Sequence, residues 1–237
     1  MIKSVWFDLD GTLLINDVDI FLKEYFKLIA IKIKEKSLGD PSEIISHLQK
    51  AVYYMVENKG PKNNEDAFWD HFGQYVDKDA FYKFFDEFYR IDFPRLKYLT
   101  KPNPYAKDVV KLAFDLGLKV VIATNAVFPL IAIKERLSWA GVDNFPYFLI
   151  TSMENMHACK PSIEYYKEIL EIVGEEPESC LMVGNDIKED LIAKKLLINT
   201  YLISDDRKMD LKSLEIKPDF IAPLKDLMEI LPLLSKA

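Results

Sequence analysis

The chain has 237 residues, of which 49% are hydrophobic, 29% charged and 13% aromatic, a balance that supports a packed core and excludes a disordered or fibrous polypeptide. Its formal net charge of -7 denies it the positive field that nucleic acid or an anionic membrane would require, so the expected partner is a small molecule. Acids at Asp8 and Asp10 arrive too early for a signal-peptide core, and the longest uncharged stretch, 120–133, falls short of the ~18 apolar residues of a membrane span, so a cytoplasmic chain without a membrane segment is expected.

The run Ser4 to Leu9 reads as a short buried strand that ends at Asp10-Gly11, where glycine permits a turn. The pattern then becomes helical. Val18, Phe21, Leu22, Tyr25 and Leu28 share one face, and so do Ile44, Ile45, Leu48, Val52 and Met55. Asp40-Pro41-Ser42-Glu43 places a capping acid before a first-turn proline, and Gly60-Pro61 closes that helix. Two further helices carry Phe68, Phe72 and Tyr75, then Phe81, Phe84, Phe85 and Phe88, so residues 16–95 read as a four-helix insert whose aromatic stripe is its core.

From Pro102 onward strand and helix signals alternate. A helix over about Tyr105 to Leu116 precedes a strand at Lys119 to Ala123, and a helix over Pro129 to Ala140 precedes a strand at Tyr147 to Ile150. A helix over Ser162 to Val173, a strand at Cys180 to Val183 and a helix over Ile187 to Leu197 follow. Strands at Thr200 to Ile203 and Asp219 to Ala222 and a closing helix from Leu224 complete the pattern. Such alternation implies an α/β fold, a doubly wound parallel sheet covered on both faces. The core is expected to comprise residues 1–15 and 96–237.

In such sheets ligands bind at the carboxyl ends of the strands, and four of those ends carry unusual residues. They are Asp8-Leu9-Asp10-Gly11-Thr12, Thr124-Asn125, Lys160-Pro161, and Gly184-Asn185-Asp186 with Asp190. Each alone is also an ordinary turn or helix cap. As a set they complement one another: carboxylates for a hard cation, a hydroxyl and amides for an oxyanion, and lysine as a compact positive charge. Cys180 reads as a small core residue, whereas Cys159, beside Lys160, is the thiol to test for reactivity. His157 has no assignable role.

In order and character these residues resemble the haloacid dehalogenase superfamily. Asp8, Asp10 and Thr12 match its Asp-x-Asp-x-Thr motif, Thr124 its second motif, Lys160-Pro161 its third, and Asp186 with Asp190 its fourth. The insert resembles that family's small helical cap. One departure is Asn185, which stands directly after Gly184 where many relatives have an acid, and makes Asn185 a further candidate ligand.

The resemblance implies a Mg²⁺-dependent phosphatase acting on a small phosphorylated metabolite. Asp8 would be the nucleophile that forms an aspartyl-phosphate, and Asp10 the general acid and base. Thr124, Asn125 and Lys160 would hold the phosphate, and Asp8, the Asp10 carbonyl and an acid from Asp186 or Asp190 would hold Mg²⁺. The presence of Asp10 separates this pattern from the dehalogenases, which have a different residue there. A phosphomutase using the same intermediate and a non-catalytic binding module on the same fold are the alternatives. Trp69, His71, Arg90 and Arg95 are candidates to face the substrate, although packing or exposure explains each. The oligomeric state is left open.

Overall fold

A computed structural model describes residues 1–204 and 214–236; residues 205–213 and 237 of the expected core range lie outside the described residues. The first strand, β1 (Ser4–Phe7), is buried along its whole length. Its Trp6 has no exposed surface and donates from Nε1 to Ser4 Oγ at 2.8 Å, so the indole is buried with its one polar group satisfied. The strand stops at Phe7, two residues before the expected end. Asp8, Leu9 and Asp10 therefore belong to the loop beyond it.

That loop turns on Gly11, whose φ is +75°, and Leu9 C=O accepts from Leu13 N and Leu14 N at 3.0 and 2.8 Å. A side chain is strained at this φ, which glycine tolerates. The next element, β2 (Leu14–Asn16), has no counterpart in the sequence reading. Helices α1 (Val18–Glu35), α2 (Pro41–Val56), α3 (Asn64–Phe72) and α4 (Lys78–Glu87) follow. Asp17 and Asp40 cap the first two as side-chain acceptors, at 3.0 Å from Ile20 N and 2.9 Å from Glu43 N. Such caps satisfy backbone donors that have no partner inside the helix.

The four-helix pattern is thus present, with two differences. Tyr75 lies beyond α3, is half exposed, and stacks on His47 with ring centroids 4.0 Å apart. A π-helical turn at Phe88–Asp92 and a 3-10 stretch at Phe93–Leu99 extend α4 toward β3 (Thr100–Pro102). Strand β3 pairs antiparallel with β2, Leu14 opposite Pro102, so a two-stranded ribbon joins the two ends of the helical insert. Phe21, Phe93 and Trp139 then pack the insert against the core, with Phe93 and Trp139 stacked at 5.3 Å.

The remaining elements are α5 (Ala106–Asp115), β4 (Lys119–Ile122), α6 (Leu130–Trp139), β5 (Leu149–Ile150), α7 (Ile163–Val173), β6 (Cys180–Gly184), β7 (Asn199–Ile203), β8 (Phe220–Ala222) and α8 (Leu227–Ser235). The sheet order is β5-β4-β1-β6-β7-β8, and every pairing in it is parallel. This is an α/β doubly wound core with a helical insert after its first strand. Strands β1, β4 and β6 lie side by side, with Phe7 opposite both Ile122 and Val183, so the loops after them emerge together. No helix among the described residues is long and apolar enough to cross a membrane.

The helix expected over Ile187–Leu197 is reduced to a 3-10 stretch at Leu191–Leu196. Asp186 Oδ1 accepts from Lys188 N and Glu189 N at 2.7 and 2.8 Å. Local side-chain acceptors of this kind compete with the helical hydrogen-bond ladder. The strand expected from Tyr147 begins only at Leu149, since Tyr147 turns its hydroxyl back to donate to Val142 C=O at 2.6 Å.

Candidate active site

Asp8 follows β1 directly, and its N–H donates to Val183 C=O on β6 at 2.9 Å, which fixes where the carboxylate leaves the sheet. Lys160, whose side chain has no exposed surface, donates from Nζ to Asp8 Oδ1 at 2.9 Å and to Asp190 Oδ1 at 2.7 Å. Three residues remote in sequence thus form one buried charged group. Burial alone would push the Lys160 ammonium down, but Asp190 and Asp8 outweigh it and hold the group well above the ordinary lysine value. The lysine is therefore charged at every physiological pH.

Asp190 is almost wholly buried, and both of its oxygens are engaged, Oδ1 by Lys160 and Oδ2 by the Asp186 N–H at 2.9 Å. Burial raises its carboxyl to about 6, with the Asp8 charge adding to the rise and Lys160 opposing it. Gly184 makes this seat possible. A Cβ at that position would fall inside contact distance of the Asp190 carboxylate. Gly184→Ala is accordingly expected to lower stability by about 1–3 kcal/mol through overpacking and to displace Asp190 from Lys160. Urea unfolding together with turnover checks this, and wild-type values in both would refute it.

Thr124 and Asn125 follow the β4 end. The Thr124 carbonyl accepts from Thr151 Oγ1 at 2.7 Å and from Tyr165 Oη at 2.8 Å, so the backbone of this loop is held rigidly from behind. Asn125 Nδ2 donates to Glu189 Oε1 at 3.2 Å. Glu189 is a residue the sequence reading overlooked. Burial raises its carboxyl to about 7, against the lowering effect of Lys160. Its only signal in the sequence was membership of the acidic run around Asp186 and Asp190.

Asp10 is placed differently from the other acids. Its Oδ2 pairs with Arg136 Nη2, and its Oδ1 accepts from Asn16 Nδ2 at 2.9 Å. Arg136, on α6, is buried, and desolvation lowers its guanidinium to about 10, with the Asp8 charge opposing that fall. Its guanidinium carbon lies 5.1 Å from the Phe128 ring centroid and 5.8 Å from that of Phe21. Neither Arg136 nor Asn16 was picked out in sequence, because an arginine inside an amphipathic helix and an asparagine before a helix cap both look ordinary.

Asn185 bridges two of the loops. Its Oδ1 accepts from Thr12 Oγ1 at 3.1 Å, and its side chain fills the space that a Cβ on Gly11 would need. That contact gives it a structural task beside the ligand role expected for it, since the amide oxygen keeps a second lone pair. Asp186 lies exposed at the rim of the same loop. Among the described residues no group of three or more His, Cys, Asp or Glu side chains is gathered as a ready-made metal cage. The candidate ligand atoms, from the Asp8, Asp186 and Asp190 carboxylates, the Asp10 carbonyl and the Asn185 amide, are all oxygens. Such a set fits a hard cation that binds through one or two carboxylates, a carbonyl and retained waters, as Mg²⁺ does.

The remaining candidates are dispersed. Trp69 is buried in the insert and His71 stacks on Tyr54 at 4.1 Å. Arg90 pairs with Asp86 and Arg95 with Asp92. His157 is an exposed partner of Glu168 at 2.6 Å. Cys159 and Cys180 are buried, and burial pushes both thiols up to about 12, which removes Cys159 as a reactive nucleophile.

A family model of haloacid dehalogenase-like hydrolases matches residues 2–195, and the chain belongs to that family. It is 27% identical over 202 residues to a phosphoglycolate phosphatase of Neisseria gonorrhoeae, covering 82% of this chain and 76% of that one. It is 28% identical to a glyceraldehyde 3-phosphate phosphatase of Methanocaldococcus jannaschii, covering the whole of both. In structure it is similar to a phosphatase of the same family from Thermococcus onnurineus, with a TM-score of 0.59, 18% identity and coverage of 97% and 98% of the two chains.

Proposed function

We propose that this protein is a phosphatase that hydrolyses a small phosphate monoester through an aspartyl-phosphate on Asp8. The observation that carries the reading is the buried Lys160 ammonium held between Asp8 and Asp190. A phosphate dianion repels a carboxylate nucleophile, so the site must offer fixed positive charge before the two can meet. Both phosphatase relatives act, by their names, on small phosphorylated compounds.

In the proposed reaction an Asp8 oxygen attacks phosphorus, the ester P–O bond breaks, and the departing alkoxide takes a proton from Asp10. Water, deprotonated by Asp10, then cleaves the acyl phosphate and restores Asp8. Thr124, the Asn125 amide and Lys160 hold the phosphoryl oxygens in line, which accounts for most of the catalysis in phosphoryl transfer. Asp8, the Asp10 carbonyl and Asp186 would hold Mg²⁺, which would neutralise charge on the phosphate. Asp190, with both oxygens engaged, positions Lys160.

Asp10 can reach a leaving group only by giving up a contact to Arg136 or to Asn16, and Asn16 belongs to the ribbon at the root of the insert. The segment 16–95 is proposed as a cap whose movement accompanies that exchange and excludes bulk water. The reading is tested by a panel of phosphorylated metabolites assayed with and without Mg²⁺, followed by acid quenching to trap the phosphoenzyme. Magnesium-dependent phosphate release with label on Asp8 is expected, and release without a trapped intermediate would refute the covalent route.

A further inference from the structure

Helices α1 to α4, the loop after β4 and the segment at Met153 and Glu154 line a partly open cavity of about 210 Å³. Val127 and Pro129 line it, and Val127 N donates to Asn125 C=O at 2.9 Å, so the cavity begins where the proposed phosphate loop ends. A second path leads to the same place. Asp10 pairs with Arg136, Arg136 lies against Phe128, and the Phe128 ring is 5.4 Å from that of Tyr25, which lines the cavity. Apolar cavities of about 150 Å³ already accept a benzene-sized guest.

The lining has a distinct chemistry. Trp69 and Tyr82 present rings stacked at 4.0 Å, with Phe68, Phe85 and Tyr89 beside them. The charged members are Glu65, Asp86 and Glu154, and among the described residues no Lys, Arg or His lines the space. Exposed Lys78 rests on the Trp69 and Tyr82 rings, 5.8 and 5.5 Å from their centroids. Burial raises the Glu65 carboxyl above its usual range, and the Glu154 charge adds to the rise. Glu154 itself accepts from Leu130 N at 2.9 and 3.0 Å through its two oxygens, so it stays in place at the α6 N-terminus. Asp86 is exposed and paired with Arg90, so a further carboxylate entering here meets like charge chiefly from half-buried Glu65 and Glu154, among apolar rings.

We propose that this cavity receives the organic half of the substrate and selects one that is apolar and carries no negative charge, an aryl or alkyl phosphate ester in preference to a carboxylated one. The inference rests on the phosphatase reading and sharpens it. Of the compounds named for the two relatives, phosphoglycolate carries a carboxylate on its organic part and glyceraldehyde 3-phosphate does not.

The test compares kcat/KM for phenyl phosphate and phosphoglycolate under Mg²⁺, in the wild type and in Glu65→Gln. The wild type is expected to favour phenyl phosphate by about 10-fold or more, within the range over which pocket contacts discriminate. Glu65→Gln is expected to narrow that ratio by about 3-fold or more, because it removes charge and keeps shape. Equal or greater efficiency on phosphoglycolate overturns the inference and leaves the phosphatase reading standing. An unchanged ratio in folded Glu65→Gln overturns the selecting role of the cavity acids. Turnover of neither ester overturns the inference, and the phosphatase reading falls with it only if the metabolite panel also gives no Mg²⁺-dependent phosphate release.

Discussion

Asp8→Asn is expected to reduce kcat by about 10⁴-fold or more while leaving the fold and its stability close to wild type. The first part follows from nucleophilic catalysis. An amide oxygen is too weak a nucleophile to form the acyl phosphate, and the residual rate is what positioning and charge alone supply. The second part follows from the surroundings of Asp8. The amide is isosteric, and its oxygen can still accept from Lys160 where Asp8 Oδ1 does so at 2.9 Å. The Asp8 charge raises the Asp190 carboxyl, so neutralising it relieves one unfavourable interaction as it weakens a favourable one. Single-turnover kinetics with acid quenching and urea unfolding check the two parts separately. Near-normal turnover by protein free of host phosphatases would remove Asp8 as the nucleophile.

The sequence already carried the placement of Asp8, Lys160 and Asp190, for a physical reason. Each sits in or just past a connection that follows an apolar strand, and a parallel sheet delivers such loops to one edge whatever the detailed packing. The β2–β3 ribbon is illegible in sequence because Leu14–Asn16 and Thr100–Pro102 are three residues each, too short for alternation to show, and they pair across the whole length of the insert. The loss of the helix expected over Ile187–Leu197 has a different cause. Its hydrophobic spacing is real, but Asp186 and Asp190 bond to nearby backbone N–H groups and divert the chain.

Arg136 and Glu189 were missed because only the tertiary structure gives them meaning. An Arg in the last turn of α6 completes a helix dipole in any sequence, and its pairing with Asp10 depends on how α6 packs against the loop after β1. Likewise Glu189 becomes notable through Asn125, 64 residues away in the chain. Asp186, Asp190 and Asn185 are all expected as Mg²⁺ ligands from sequence, and their hydrogen bonds differ. Asp190 is consumed by Lys160 and by the Asp186 amide, and Asp186 is left at the exposed rim.

The second large effect is expected from Lys160→Met, which keeps an unbranched side chain and removes the charge. Asp8 and Asp190 would then share a buried site without a cation, and breaking a buried pair in this way costs about 3–5 kcal/mol. Catalysis should fall as well, by about 10²–10³-fold in kcat, the usual consequence of losing one fixed donor to a developing oxyanion. The pH dependence gives the loss its signature. In the wild type the Lys160 value lies above that of the free side chain, so its contribution to stability is complete below that free value, about 10.4, and is lost only as pH rises through the folded value. The lysine's own titration therefore adds no pH dependence between pH 5 and 8. In the variant the Asp190 carboxyl, already raised by burial to about 6, loses the Lys160 charge that opposes the rise and climbs further. A carboxyl whose folded value is raised binds protons more tightly folded than unfolded, so the folded state gains stability as pH falls. The stability gap between wild type and Lys160→Met should accordingly be wide at pH 8 and narrow toward pH 5. Urea titrations at the two values measure it directly. A gap that is constant across this range would mean that the lysine acts through packing alone, and that Asp190 does not depend on it for its charge.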